Sequence, residues 1–403
     1  MPGLESIIGC PDLHLTDIHW DKGREAPVLK AHASQRPCCP RCEFTHVRVK
    51  ASFNRLLKHS RQGNRIVRVQ IRARKFLCLQ CGRYFNERFA GILPRKRATE
   101  TFRLEVFERH EGGVSQRALS QTHELSPATI ERWYRDFIAY RVKELSNRPS
   151  PRVLGIDEHF FSKKNGFATT FCDLSNHKIY DVTLGRSELS LQPYLKRIPE
   201  RHRTKVVVMD LSETYRQIAK KHFPNALIVA DRFHVIRLVN HQFLRAWGLL
   251  DPDGRKNRGL LSLMRRHEQN LSDAQRRSLA GYLSTYPVLK EIYAFKQRLC
   301  HILCTKNVTQ ISARPIVYDF YEMIVQLKAT TLEPLRTLGH TLYSWRNEIA
   351  RMFRFTKTNG ITEGFHNKME MLSRRAFGFR NFENYRMRVL ALCGWNGVFN
   401  RVV

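Results

Sequence analysis

Apolar positions recur along the chain with two periods, and the switches between them mark out its segments. Leu13–Trp20 reads as a first strand, and Ile66–Arg74 alternates strictly between apolar and polar, as expected of a strand with one basic face. Residues 98–147 change to a helical period. One helix starts within Gly112–Ser120 and another within Leu125–Arg135, where Ser126 suits the N-cap and Pro127 the first helical position. The short turn between them predicts a helix-turn-helix, with Thr129, Arg132 and Arg135 on or near the polar face of its second helix.

Strand patterns return after the linker Asn147–Pro151. Val153–Ile156 is a short apolar run expected to end at Asp157. Gly166–Asp173 and Lys178–Leu184, joined by an Asn176-His177 turn, complete a three-stranded antiparallel meander. Ser190–Ile198 and Thr214–Lys221 read as helices. They separate two further apolar runs, Lys205–Asp210 and Asn225–Asp231, each ending in aspartate. Near-continuous apolar strands alternating with helices predict parallel strands covered on both faces. Residues 235–350 carry helical patterns almost throughout and are too long for a loop, so they read as a helical insertion. A last helix opens around Thr358–Lys368. It places Glu363, Asn367 and Glu370 on one face and Phe365, Met369 and Leu372 on the other. The basic and aromatic run Ser373–Phe382 follows, then a helix from Glu383.

Charge changes this picture from a fold to a function class. The chain holds 69 Lys and Arg against 36 Asp and Glu, a net charge of +33, distributed along its whole length. Such a surplus suits a long nucleic-acid footprint better than a basic tail on a neutral body. The 42% apolar content over 403 residues is enough for the cores of two to four domains. No apolar run approaches the ~18 residues needed to span a bilayer. The stretch Met1–Glu5 does not open a secretory leader, so a cytoplasmic protein is expected, nucleoid-associated when on DNA.

Against that basic background two side-chain sets stand out. Cys39/Cys42 and Cys78/Cys81 are CxxC pairs, and four thiolates at such knuckles suit a tetrahedral structural Zn²⁺ better than disulfides do; Cys38 is a neighbouring competitor. The second set is acidic. Asp157, Asp210 and Asp231 close three parallel-type strands and Glu363 lies at the start of a helix. Neighbouring strand ends gather carboxylates at one sheet edge, where they repel unless they share a cation. Mg²⁺ or Mn²⁺ is the hard ion that oxygen ligands prefer, and such sites drive in-line attack on phosphodiesters. Glu158 follows Asp157 directly and so points to the opposite face of the strand.

Taken together, the CxxC pairs, the helix-turn-helix, GIDE at 155–158, VMD at 208–210, ADRFHVIR at 230–237 and above all TNGITEGFHNKMEMLSRRAFGFRNFENYRMRVL at 358–390 resemble the bacterial insertion-sequence transposases of the DDE class, in particular the "insertion sequence L-three" group. The resemblance covers nearly the whole chain. It implies a multidomain α/β protein: an RNase H-like catalytic core interrupted by an all-helical insertion, preceded by a zinc ribbon and a helix-turn-helix domain. The corresponding boundaries are 1–92 for the zinc-binding domain and 95–147 for the helix-turn-helix. The core occupies 150–238 and 351–403, and the insertion 239–350.

It also implies metal-dependent cleavage and transfer of double-stranded DNA at terminal inverted repeats, by a homodimer or larger assembly that pairs two ends. Asp157, Asp210 and Glu363 would be the catalytic and Mg²⁺-binding acids. Asp231 is the rival for the second place, and strand order favours Asp210. His234, in the same motif as Asp231, is an auxiliary candidate near the scissile phosphate. Arg374, Arg375 and Arg380 are candidates for contacts to the DNA backbone. Two other readings compete. A domesticated, non-catalytic DNA-binding regulator predicts loss of an acid, yet all are present; another RNase H-like nuclease would not need two N-terminal DNA-reading modules.

Overall fold

The computed structural model describes residues 10–33, 35–306, 309–355 and 360–395, so Thr358 and Asn359 of the long C-terminal motif lie outside the described residues. The chain divides into two compact units, residues 1–141 with 396–403, and residues 142–395.

The first unit joins a sheet to three helices. Strands β1 (Leu13–Asp21), β2 (Ala26–Ala33), β3 (Val47–Gln62) and β4 (Arg65–Cys78) lie in the order β1-β2-β4-β3, and β5 (Tyr84–Asn86) pairs with β4. The β3–β4 hairpin turns through two residues, with Gln62 opposite Arg65. Gly63 takes φ 61° at the first turn position, where a type II′ turn requires glycine. Val67, Val69, Ile71 and Ala73 of β4 face a core shared with Leu13, Leu29 and Leu57.

The other face of β4 carries the basic residues expected from its alternation, and Arg72 is exposed there, but two of its cations are paired. Arg68 is buried and donates to Glu124 at 2.7 Å, and Arg74 is held by Glu87. Acids outside the strand pair with these two charges.

Helices α1 (Glu100–Glu111), α2 (Gln116–His123) and α3 (Pro127–Leu145) follow. The side chains of Thr99, Ser115 and Ser126 each accept from a backbone N–H three residues on, which sets the three starts. Phe102, Val106, Leu119, Ile130 and Trp133 close the helical core. The α2–α3 turn passes through Glu124 in the left-handed region, φ 50°.

The second unit is built on a mixed sheet of order β10-β9-β6-β7-β8. Its strands are β6 (Val153–Ser162), β7 (Gly166–Asp173), β8 (Lys178–Leu184), β9 (Val206–Met209) and β10 (Leu227–Ala230). The meander β6-β7-β8 is antiparallel, and β9 and β10 add in parallel to β6. One detail departs from expectation: β6 does not end at Asp157. It runs on to Ser162 because β7 continues to pair with it, while β9 stops at Met209. Asp157 therefore sits mid-strand, where the parallel partner gives out.

Helices α4 (Glu188–Arg197) and α5 (Glu213–His222) make the crossovers, and α6 (Arg232–Leu250) leaves β10. The helical segment that follows has two allegiances. Phe243, Trp247, Met264, Leu279, Leu289 and Tyr293 form a cluster of their own. It is assembled from α6, α8 (Arg258–Arg265), α9 (Asp273–Ser284) and α10 (Pro287–Cys304), with the short α7 (Pro252–Lys256) linking α6 to α8. The later helices α11 (Gln310–Ala329), α12 (Glu333–Ser344) and α13 (Arg346–Arg351) instead give Phe320, Leu327, Leu338 and Ile349 to the core of the sheet.

Within the first cluster, buried Lys296 donates to the carbonyls of Met264, Arg265 and Arg266 at 3.1–3.3 Å, terminating α8. Lys296→Met would remove this donor from all three carbonyls, of which Arg266 O keeps the Gln297 side-chain amide at 3.0 Å. We expect it to cost about 1–3 kcal/mol in urea unfolding, whereas exposed Lys256→Met should be neutral.

The chain returns to the sheet with α14 (Gly360–Arg375) and α15 (Phe382–Val389). Phe365 and Met369 of α14 are buried and Glu363, Asn367 and Glu370 exposed, the two faces expected from the helical period.

Candidate active site and metal centres

Strand register gathers the acids. Ile156 pairs with Met209 and Met209 with Ala230, so the next row across β6, β9 and β10 is Asp157, Asp210 and Asp231. The row holds together because Asp231 N–H donates to Met209 O at 2.6 Å. Asp210 occupies the central strand of the three and Asp231 the outer one, beyond it from Asp157. Helix α6 starts immediately after Asp231 and brings His234 back over the row. Its Nε2 lies 4.0 Å from Asp157 Oδ1 and 3.8 Å from Asp231 Oδ2.

A cleft of about 200 Å³ opens here. Asp157, Asp231, His234, Arg237, Glu363 and His366 line it, together with Glu158, Phe233 and Gly360. Thus Glu363, more than 200 residues beyond Asp157, meets it across one small space. Asp210 stands just off the cleft wall and is only half-buried, whereas Asp231, on the wall, is 1% exposed.

Glu158 shares the rim but faces away. Its row partner Thr169 lies 3.0 Å from the Tyr215 hydroxyl of α5, and its own carboxylate is 3.5 Å from Arg186. The row partner of Asp157, Thr170, instead meets His366 of α14.

The electrostatics are those of crowded carboxylates. Burial pushes Asp157 up from 3.8 to about 6; His234 and the Glu158 N–H, which donates to Oδ1 at 2.8 Å, work against the rise, while Asp210 and Asp231 add to it. Burial likewise pushes Asp210 up to about 6, with Glu158 and Asp231 adding and His234 opposing. Such acids fit a hard divalent cation, which would relieve both the desolvation and the repulsion.

Behind the acids lies a polar relay that sequence reading missed. Thr170 Oγ1 is 3.0 Å from His159 Nδ1 and 3.2 Å from His366 Nε2, and the Tyr385 hydroxyl is 2.9 Å from His159 Nε2. Burial lowers His159 to about 3 and His366 to about 4, so both rings are neutral at physiological pH. The approach of His366 Nδ1 to Asp157 Oδ2 at 3.9 Å is therefore a polar contact rather than an ion pair. The available signal was the spacing of His366, three residues after Glu363 and so on the same side of α14.

In the first unit, Cys39, Cys42, Cys78 and Cys81 converge, all four sulfurs lying within 4.8 Å of one another. The Cys39–Cys81 and Cys42–Cys78 separations are 3.6 Å. Tetrahedral Zn–S bonds of about 2.3 Å put sulfurs near this spacing, so the residues fit the ion. Cys38 is exposed and stands outside the group. On α3, Arg132 and Arg135 are exposed; Arg132 donates to Thr129 Oγ1 and Arg135 to Glu131. Arg374, Arg375 and Arg380 are exposed beyond the acidic end of α14, with Arg374 bonded to Glu370 at 2.6 Å.

The row of acids, the helix bearing Glu363 and the helical segment between them all fall within residues 154–389, which match the family model of the ISL3-type DDE transposases, described as transposase. The chain belongs to this transposase family. A relative from Bordetella parapertussis, the transposase for insertion sequence element IS1001, is 22% identical over 400 residues, spanning 96% of this chain and 97% of its own length. Family membership thus covers the second unit almost entirely, and the likeness to the relative extends through the first.

Proposed function

We propose that the protein cuts and rejoins double-stranded DNA at the terminal inverted repeats of an insertion sequence, using Asp157, Asp210 and Glu363 as a divalent-cation-binding triad. The observation that carries this reading is the meeting of Glu363 with Asp157 and Asp231 in one cleft, with Asp210 between those two aspartates in the strand row. Asp210 is taken over Asp231 because it neighbours Asp157 in the row and reaches solvent, while buried Asp231 faces His234. Mg²⁺ or Mn²⁺, when bound there, supplies Lewis-acid activation of the attacking hydroxyl and charge neutralisation at the leaving oxygen.

The protein's own groups shape the site around that chemistry. Glu158 N–H fixes one oxygen of Asp157. His234 bridges Asp157 and Asp231 and stands beside the position of a scissile phosphate. Neutral His366 and Thr170 hold α14 against β7, beside Asp157, without adding charge to the site. Arg237, in the cleft wall, is placed to meet the phosphate backbone. Thr129, Arg132 and Arg135 would read the repeat from the helix-turn-helix, and Zn²⁺ on the four cysteines would hold the ribbon of residues 1–92. Joining two ends calls for a homodimer or larger assembly on DNA, working in the cytoplasm at the nucleoid.

The test is to incubate the protein with a duplex spanning the boundary of the DNA that flanks the reading frame. In Mg²⁺ or Mn²⁺ it should liberate a 3′-hydroxyl at the boundary and join it to a second duplex; in EDTA both products should vanish. Binding without cleavage in either metal would instead support a regulator.

A further inference from the structure

Helix α14, which carries Glu363, ends in an unusual way. Gly378 N–H donates to Ser373 O at 2.8 Å and Phe377 N–H to Arg374 O at 3.1 Å, a helix stop that passes through a left-handed residue. That residue is normally glycine. Here it is Phe377, at φ 52°, although Gly378 stands next to it at φ 89°. A bulky L-residue is disfavoured in this region, so the chain holds an aromatic side chain where local energetics would select glycine.

Core packing does not account for the choice. The Phe377 ring is fully exposed, at 102%. The other two phenylalanines of the run, Phe379 and Phe382, turn inward onto Tyr385 at 5.3 and 5.9 Å. The surroundings of Phe377 are cationic: Arg374, Arg375 and Arg380 are exposed, and the nearby acid Glu370 is bonded to Arg374. A single apolar ring raised between arginines does not make the apolar patch of a protein interface. It does match the apolar wedge with which proteins part stacked bases while flanking cations hold the backbone.

Resting on the DNA-cutting reading above, we propose that Phe377 inserts between base pairs of the bound duplex and unstacks one step there. Glu363 and Arg375 are twelve residues apart on α14, or about 18 Å of helix. At about 3.4 Å per base pair, that reach puts the wedge within roughly five or six base pairs of the bond that is cut. Its strained backbone keeps the ring presented before DNA arrives.

The experiment uses the full chain and an end duplex carrying 2-aminopurine at successive positions from the boundary. The wild type should raise the fluorescence severalfold at one position within roughly five or six base pairs of the boundary. F377W should keep that signal. F377G should abolish it and lower cleavage by about tenfold or more, while a duplex with an abasic site at that position should restore cleavage. Because glycine accepts φ 52° freely, F377G should unfold at an equal temperature or roughly 2–4 °C higher, which separates loss of the wedge from loss of the fold. The proposal falls if F377G keeps the fluorescence signal or cleaves intact duplex as the wild type does. It falls too if the main effect of F377G is a changed oligomeric state in ultracentrifugation, which would make Phe377 a protein contact. A wild type that binds no DNA would overturn the DNA-cutting reading itself, whereas a wild type that cleaves, matched by F377G, removes the wedge alone.

Discussion

Asp157→Asn is expected to abolish strand cleavage, by more than about 10³-fold, and yet to make the metal-free protein more stable at pH 7.5. The two effects have one cause. The native fold holds the Asp157 carboxyl at about 6 against an ordinary 3.8, because the site is desolvated and Asp210 and Asp231 stand near. Between those values the native state binds a proton that the unfolded chain releases. Stability therefore falls as pH rises from about 4 to about 6 and stays low above it, a loss of about 3 kcal/mol for this group.

Asparagine carries no such charge, and its side-chain oxygen can still accept from the Glu158 N–H. The gain of the variant over the wild type should thus be near zero at the acid end and fully present at pH 7.5. Added Mg²⁺ should close the gap by stabilising only the wild type. Denaturant titrations at pH 4.5, 6 and 7.5 with and without Mg²⁺ read this out. A variant less stable than the wild type at pH 7.5 in EDTA would show that the carboxylates are satisfied without a cation.

The second large effect belongs to the cysteine cluster. Cys78→Ser, or a strong chelator, should unfold the knuckles of the first unit and with them the anchorage of β4 and β5. The four sulfurs stand close together with no disulfide joining them. A structural zinc held there would contribute about 10 kcal/mol or more, as in small sites of this kind, so its removal should unfold the knuckles. One Zn²⁺ per chain by elemental analysis, and loss of far-UV β signal on chelation, are the expected results. Cys38→Ser should change neither, since Cys38 lies outside the cluster.

How far these sites could be read in advance follows from the physics of each. The aspartate row was legible because three apolar runs of matching type each stop at an aspartate, and parallel pairing converts that repetition into adjacency. The cysteine pairs were legible from spacing alone. The true end of β6 was not, because it depends on β7 continuing to pair after β9 has ended. Nor was the pairing of Arg68 and Arg74 with Glu124 and Glu87, which lie outside the alternating strand.

The relay of His159, Thr170, His366 and Tyr385 was beyond reach for a related reason. Its contacts join residues 196 and 226 positions apart, and no local period encodes them. The divided packing of the helical segment likewise becomes visible only when each apolar stripe meets its neighbour.

The central claim is that Asp157, Asp210 and Glu363 jointly hold one divalent cation, with Asp231 serving His234 instead. Mn²⁺ titration followed by electron paramagnetic resonance tests it most directly, on the wild type and on D157N, D210N, D231N and E363Q. Binding should be lost in D157N, D210N and E363Q and kept in D231N. Full Mn²⁺ binding by D157N or E363Q would contradict the claim, and loss in D231N with retention in D210N would move the second ligand to β10.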